Sequence, residues 1–132
     1  MKLLTPALYA ALRANDIARG EKLCQGVERY DPVPILRLFN PIGSATWLAT
    51  EIDEDGVLFG LADLGFGSPE LGYFSLKELQ SVRLPFGLSI ERARFFVGCH
   101  SLSVYARAAT RTGSLLEAER CLFNASILKI ER

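Results

Sequence analysis

Apolar side chains recur along this chain with two different spacings, and the change from one to the other divides it into elements. Near the start, Leu4, Leu8, Ala11, Leu12, Asn15 and Ala18 fall on one side at helical spacing, whereas Ile17 falls off that stripe. Thr5 is placed as N-cap, Pro6 at the first helical position, and Leu4 can staple onto Tyr9. The pattern predicts a first helix from Pro6 to Asn15 or Arg19. A loop over Gly20 to Pro34 follows, then a buried strand from Ile35 to Phe39 closed by the turn Asn40-Pro41-Ile42-Gly43.

The spacing then drops to two. ATWLATEID and VLFGLAD read as strands joined at Asp55-Gly56, a strong hairpin signal. A tight two-residue turn sets Ile52 opposite Phe59, Thr50 opposite Leu61 and Glu51 opposite Gly60. Leu48, Ile52, Phe59 and Leu61 then share one face, while Trp47, Ala49, Glu51 and Asp53 share the other with Leu58, Gly60 and Ala62. Small residues beside a tryptophan form either a shallow groove or the seat of a closely packed helix, and the helix is preferred.

A loop through Gly65, Gly67 and Pro69 leads to a short strand, Leu71 to Phe74. Ser75-x-x-Glu78 is a capping box opening a helix that Pro85 stops near Val82 or Arg83. Leu88 to Val97 reads as a strand, with Ile90, Arg92 and Arg94 pointing opposite to Glu91 and Phe95. After Gly98, a helix with Leu102, Tyr105, Ala106 and Ala109 on one face runs to Gly113. A second capping box, Ser114-x-x-Glu117, opens a last helix ending near Asn124, which leaves SILKI as a final edge strand. The order predicts an α+β fold, with an antiparallel sheet of about four to five strands and helices mainly on one side.

The chain has 132 residues, the size of a single domain able to bury one core without metal or disulfide staples. Its apolar fraction of 49% is too high for intrinsic disorder. No segment approaches the roughly 20 apolar residues of a membrane span. Lys2 followed by an apolar run has the look of a short signal peptide, but the capped helix start is the better reading.

Net charge is zero but uneven, with residues 1–50 carrying +2, residues 51–80 −6 and residues 81–132 +4. Cys24, Cys99 and Cys121 show no C-x-x-C spacing, which predicts reduced, buried and inert thiols and a cytoplasmic setting. A zinc site would have to draw on those three cysteines with His100, and no metal or other cofactor is expected. Glu51 and Asp53, with Asp55, Asp63 and Glu70 near, offer carboxylates for a divalent cation or a general base around the 51–63 hairpin. Carboxylates at a hairpin turn are more often solvated. The chain has no P-loop, G-x-S-x-G or H-E-x-x-H, and Gly65-x-Gly67 lacks the third glycine of a dinucleotide site.

The strings MKLLT, TWLATE, LFGLADLGFGSPELGYFSLKEL, VRLPFGLSIERARFF and LSVYARAA resemble the bacterial domain-of-unknown-function family 2958. The resemblance reaches about Gly113, leaving residues 114–132 as a C-terminal extension read as a helix plus a short strand. It implies a cytoplasmic accessory protein of a plasmid or integrative element and assigns no catalytic residue. Where relatives commonly read G-L-P-I-E-R-D this chain has Gly87 to Ala93 with Ser89 and Ala93 in place of the proline and the acid, and Ser68 stands where many relatives carry a cysteine.

The expected function is non-enzymatic contact with a host or element-encoded protein, in one concrete form the inhibition of a host defence complex. Its expected surface is Trp47, Glu51, Asp53, Glu54 and Asp55, an acidic patch suited to a basic partner. One alternative is single-stranded nucleic-acid binding by Arg83, Arg92, Arg94, Arg107 and Arg111 near Tyr73, Phe95, Phe96 and Tyr105, although neutral net charge and use of the aromatics in the core speak against it. The other is an enzyme using the hairpin carboxylates. A homodimer is a further way to cover apolar surface.

Overall fold

A computed structural model describes the backbone of residues 3–131 and the side chains of residues 3–125. Met1 and Lys2, on which the signal-peptide reading rests, lie outside the described residues. Helix α1 spans Pro6–Cys24 and starts as predicted: the Leu8 N–H donates to Thr5 Oγ1 at 3.1 Å, with Pro6 in the first turn. It runs past the expected end at Arg19, because Gly20 alone only weakens a helix by about 1 kcal/mol. The actual stop is Gly26, which sits just beyond Gln25 at φ +82.

Four strands then form a meander, β1 (Leu36–Phe39), β2 (Thr46–Ile52), β3 (Val57–Asp63) and β4 (Glu70–Ser75). After helix α2 (Leu76–Ser81) and a turn at Pro85–Gly87, the two-residue strand β5 (Glu91–Arg92) crosses to the far edge, beside β1. The antiparallel sheet has the order β4-β3-β2-β1-β5. Helices α3 (Leu102–Thr112) and α4 (Leu115–Glu131) complete the domain. Fold class and strand number agree with the sequence reading. Among the described residues, no helix is long and apolar enough to cross a membrane.

The hairpin departs from its expected pairing. Residues 53–56 form a longer connection in which Asp53 N–H donates to Val57 O, so that Ile52 faces Leu58. A bulge between Ala49 and Glu51 then shifts the register once more, placing Ala49 opposite Gly60 and Leu48 opposite Leu61. One extra residue resets the alternation. Ile52 therefore joins Trp47, Ala49 and Leu58 on one face, while Leu48, Phe59 and Leu61 keep the other. Gly60 permits the bulge: a Cβ there would lie 1.8 Å from Leu48 O and 2.8 Å from Ala49 Cα.

Helices cover both faces, which corrects the expectation of one. Leu12 of α1 and Leu76 and Leu79 of α2 pack over Leu36, Leu38, Trp47, Ala49, Ile52 and Leu58. On the opposite face, Leu102, Tyr105 and Ala109 of α3 and Leu115 and Ala118 of α4 pack over Leu48 and Leu61. The reason lies in β2, whose apolar residues point both ways, so that all seven of its residues are buried only if both sides are covered.

Two other strand expectations fail. Of Leu88 to Val97 only Glu91 and Arg92 pair, because residues 93–96 turn back with Phe96 N–H donating to Ala93 O. The SILKI segment is the end of α4, since no glycine or proline stops that helix after Ser114. Both capping boxes place their caps correctly, with Glu78 N–H on Ser75 Oγ at 3.2 Å and Glu117 N–H on Ser114 Oγ at 3.3 Å.

Candidate protein-binding surface at the open sheet edge

The acidic hairpin is largely consumed by the fold. Trp47 is 7% exposed, packed in the core on the face that α1 covers. Glu51 is buried too, and its Oε1 accepts a bond from Arg19 Nε at 2.6 Å. That bond outweighs desolvation and raises the Arg19 pKa. Arg19 and Arg13 both hold Asp16, at 3.0 and 2.8 Å, and Arg13 lies 3.8 Å from Glu54. Asn15 and Arg13 also donate to the carbonyls of Thr50 and Ile52, which explains a polar residue on the inner stripe of α1. Asp53 Oδ1 accepts the N–H groups of Asp55 and Val57 and so shapes the turn. Glu54 and Asp55 remain exposed. Trp47 and Glu51 are thus removed from the surface.

Asp63 is buried and structural: Oδ1 accepts Gly65 N–H at 2.8 Å and Oδ2 accepts Leu115 N–H at 2.9 Å, capping α4 from the end of β3. Asp31 does the same for α3, accepting both the backbone N–H and the hydroxyl of Ser103. Desolvation pushes the Asp31 pKa up, but the Ser103 bonds outweigh it, helped by Ser101 and Arg107, and hold the carboxyl below its usual value. Neither long-range cap has a local sequence signal.

The arginines do not form one stripe. Arg92 and Arg94 sit at the β5 edge, where Arg92 donates to Leu3 O at 3.2 Å. Arg107 and Arg111 stand on α3 beside Leu71 of β4, the opposite edge. Arg83 bonds the carbonyls of Gln80 and Ser81 at the end of α2. Of the aromatics expected in the core, Tyr105 is buried, whereas Tyr73 and Phe95 are 70% and 96% exposed.

The three cysteines are exposed, not buried as expected, since Cys24 ends α1, Cys99 lies in a loop and Cys121 is on an outward face of α4. Cys99 Sγ is 3.2 Å from the Tyr105 hydroxyl, which also accepts the Cys99 N–H at 3.1 Å. Burial, reinforced by the Cys99 side-chain bond, pushes the Tyr105 pKa up to about 12. Among the described residues, no three His, Cys, Asp or Glu side chains are grouped to hold a metal ion.

What stands open is β4. Its order in the sheet leaves one side unpaired over six residues. Phe59 O and both backbone groups of Val57 bond toward β2, and Leu76 N–H bonds back to Gly56. By the antiparallel alternation, Leu58, Gly60 and Ala62 bond β4, so Leu71 and Tyr73 turn their N–H and C=O groups outward, while the Ser75 carbonyl starts α2. Leu71 and Tyr73 stand across from Leu61 and Phe59, with the Phe59 and Tyr73 rings 5.0 Å apart. Above them, α3 leaves a groove of two depressions, about 360 and 520 Å³, that share Leu71 and Arg107. Sequence reading found the strand but not its edge position. Its available signal was the absence of any Lys or Pro from residues 70–75.

Residues 3–116 match the model of a protein family described as of unknown function (DUF2958). The chain belongs to this family. The match covers β1 to β5 and α3 and extends just into α4, confirming the resemblance read from the motifs. No curated protein and no solved structure matches the chain.

Proposed function

We propose that this DUF2958 protein performs no reaction and acts by binding another protein along β4. The observation that carries this reading is a six-residue strand edge left unpaired and flanked by uncovered apolar side chains: Leu71 and Tyr73 on one side of the strand, Leu64 and Phe66 in the loop before it, with Phe66 86% exposed. Exposed apolar groups beside unpaired strand backbone favour association with another chain. The partner is host- or element-encoded. A role as accessory protein of a mobile element, and as inhibitor of a host defence complex, rests on the family resemblance. The acidic hairpin contributes at most Glu54 and Asp55 to partner attraction, since its other carboxylates are engaged within the fold.

The test is a photo-crosslinking amino acid placed at Tyr73 and, as control, at Ile17, which is exposed on α1. Irradiated host cells should yield a discrete protein adduct from position 73 and none from position 17. No adduct at 73, or equal adducts at both, would sink the reading; adducts removed by nuclease would transfer it to nucleic acid.

A further inference from the structure

We propose that the occupant of this edge is an extended acidic segment of the partner, which pairs with β4 as a sixth strand; the inference rests on the binding reading above. The outward N–H and C=O groups of Leu71 and Tyr73 supply the main-chain half of the recognition, as in strand addition to a free sheet edge. Side chains supply the rest. An added strand alternates its residues between two environments. On the α3 side it meets Leu71 and Tyr73 beneath Arg107 and Arg111, one helical turn apart. Neither Arg107 nor Arg111 has an ion pair among the described residues; Arg107 lines the depression with Glu28 and Asp31, and the Asp31 oxygens are already bonded by Ser103. Two guanidinium groups over an apolar floor favour carboxylates. On the other side the strand meets the apolar loop of Leu64 and Phe66. The fitting pattern is acidic residues alternating with apolar ones.

A second copy of this chain fits less well. The single carboxylate of β4 is Glu70, which pairs with Ala62 and so lies on the side away from the arginines. Self-pairing would bring four arginines to one face with no β4 carboxylate to meet them, an arrangement that like-charge repulsion disfavours.

The test pans a phage library of random peptides, roughly ten residues long and matched to strand dimensions, on the folded full chain. It then measures affinity for the enriched peptide. Enriched sequences should alternate Asp or Glu with Val, Ile, Tyr or Phe. Leu71→Lys, an exposed change that leaves the melting temperature near parental, should weaken binding about tenfold or more. Arg107→Glu combined with Arg111→Glu should weaken it similarly and shift panning toward basic peptides. The proposal is overturned if panning enriches no acidic alternating sequence, if the enriched peptide ignores Leu71→Lys, if the pure chain sediments as a dimer that Leu71→Lys dissociates, or if single-stranded DNA outcompetes the peptide. A protein adduct at position 73 together with failed panning rejects this inference alone; absence of any adduct rejects the binding reading itself.

Discussion

The two edges of this sheet are built differently. At β5 the pairing lasts two residues before the chain turns at 93–96, and Glu91, Arg92 and Arg94 put charge on the rim. Short edge strands and charged rims are the usual devices by which a sheet avoids joining another. At β4 the pairing lasts six residues with no proline or lysine among them, and the outward face carries Leu71 and Tyr73. Both edges expose aromatic side chains, since Phe95 near β5 is as open as Phe66 near β4. Exposed apolar area therefore does not separate them. Available backbone does, and that difference assigns strand addition to β4.

The largest expected effect breaks the sheet that carries both edges. Gly60→Ala would drive a methyl carbon into the Leu48 carbonyl at the bulge, where the obstacle is backbone and cannot rotate away. We expect a loss above about 4 kcal/mol, or failure to fold, with crosslinking at position 73 abolished. Thermal melting followed by circular dichroism checks it. A Gly60→Ala chain that melts like the parent would show that β2 and β3 do not approach this closely.

A smaller effect separates the groove wall from the edge itself. Asp31 anchors the start of α3, the helix that carries Arg107 and Arg111. Asp31→Asn should cost about 1 kcal/mol at neutral pH, or roughly 3 °C in melting temperature. The sign with pH follows from the depressed pKa. The carboxylate's contribution is complete above its unfolded value, near 3.8, and is lost as pH falls through the lower folded value. The gap between parent and Asp31→Asn should therefore close in acid, and a gap unchanged between pH 7 and pH 2 would exclude the Ser103 bonds as its origin.

How much of this was legible in the sequence depended on whether the deciding contact was local. Thr5, Ser75 and Ser114 were found as caps because each bonds a backbone N–H three residues on. Asp31 and Asp63 act across 72 and 52 residues and left no local pattern. The hairpin was visible, but the bulge was not, since it depends on Gly60 meeting the β2 backbone. That one extra residue displaced Ile52 from its expected face. Glu51 reads as surface because its partner, Arg19, stands 32 residues earlier on α1. Leu71 to Phe74 reads as a strand from sequence but without a place in the sheet, and the candidate site is a property of that place.

The smallest effect tests whether the blunt edge hides a function of its own. Phe86, in the turn that leads toward β5, has φ 64 and is 94% exposed. A left-handed backbone costs a bulky residue roughly 1–2 kcal/mol, which asparagine tolerates better. Because Phe86 buries almost nothing, Phe86→Asn should lose little packing and stabilise the chain by about 0.5 kcal/mol, a rise of one or two degrees in melting temperature. If function resides at β4, the same variant should crosslink from position 73 as the parent does. Strain at an exposed aromatic is otherwise a signature of a binding anchor. A stabilised Phe86→Asn chain that no longer yields the adduct would move the contact to the β5 side and reverse the assignment of the two edges.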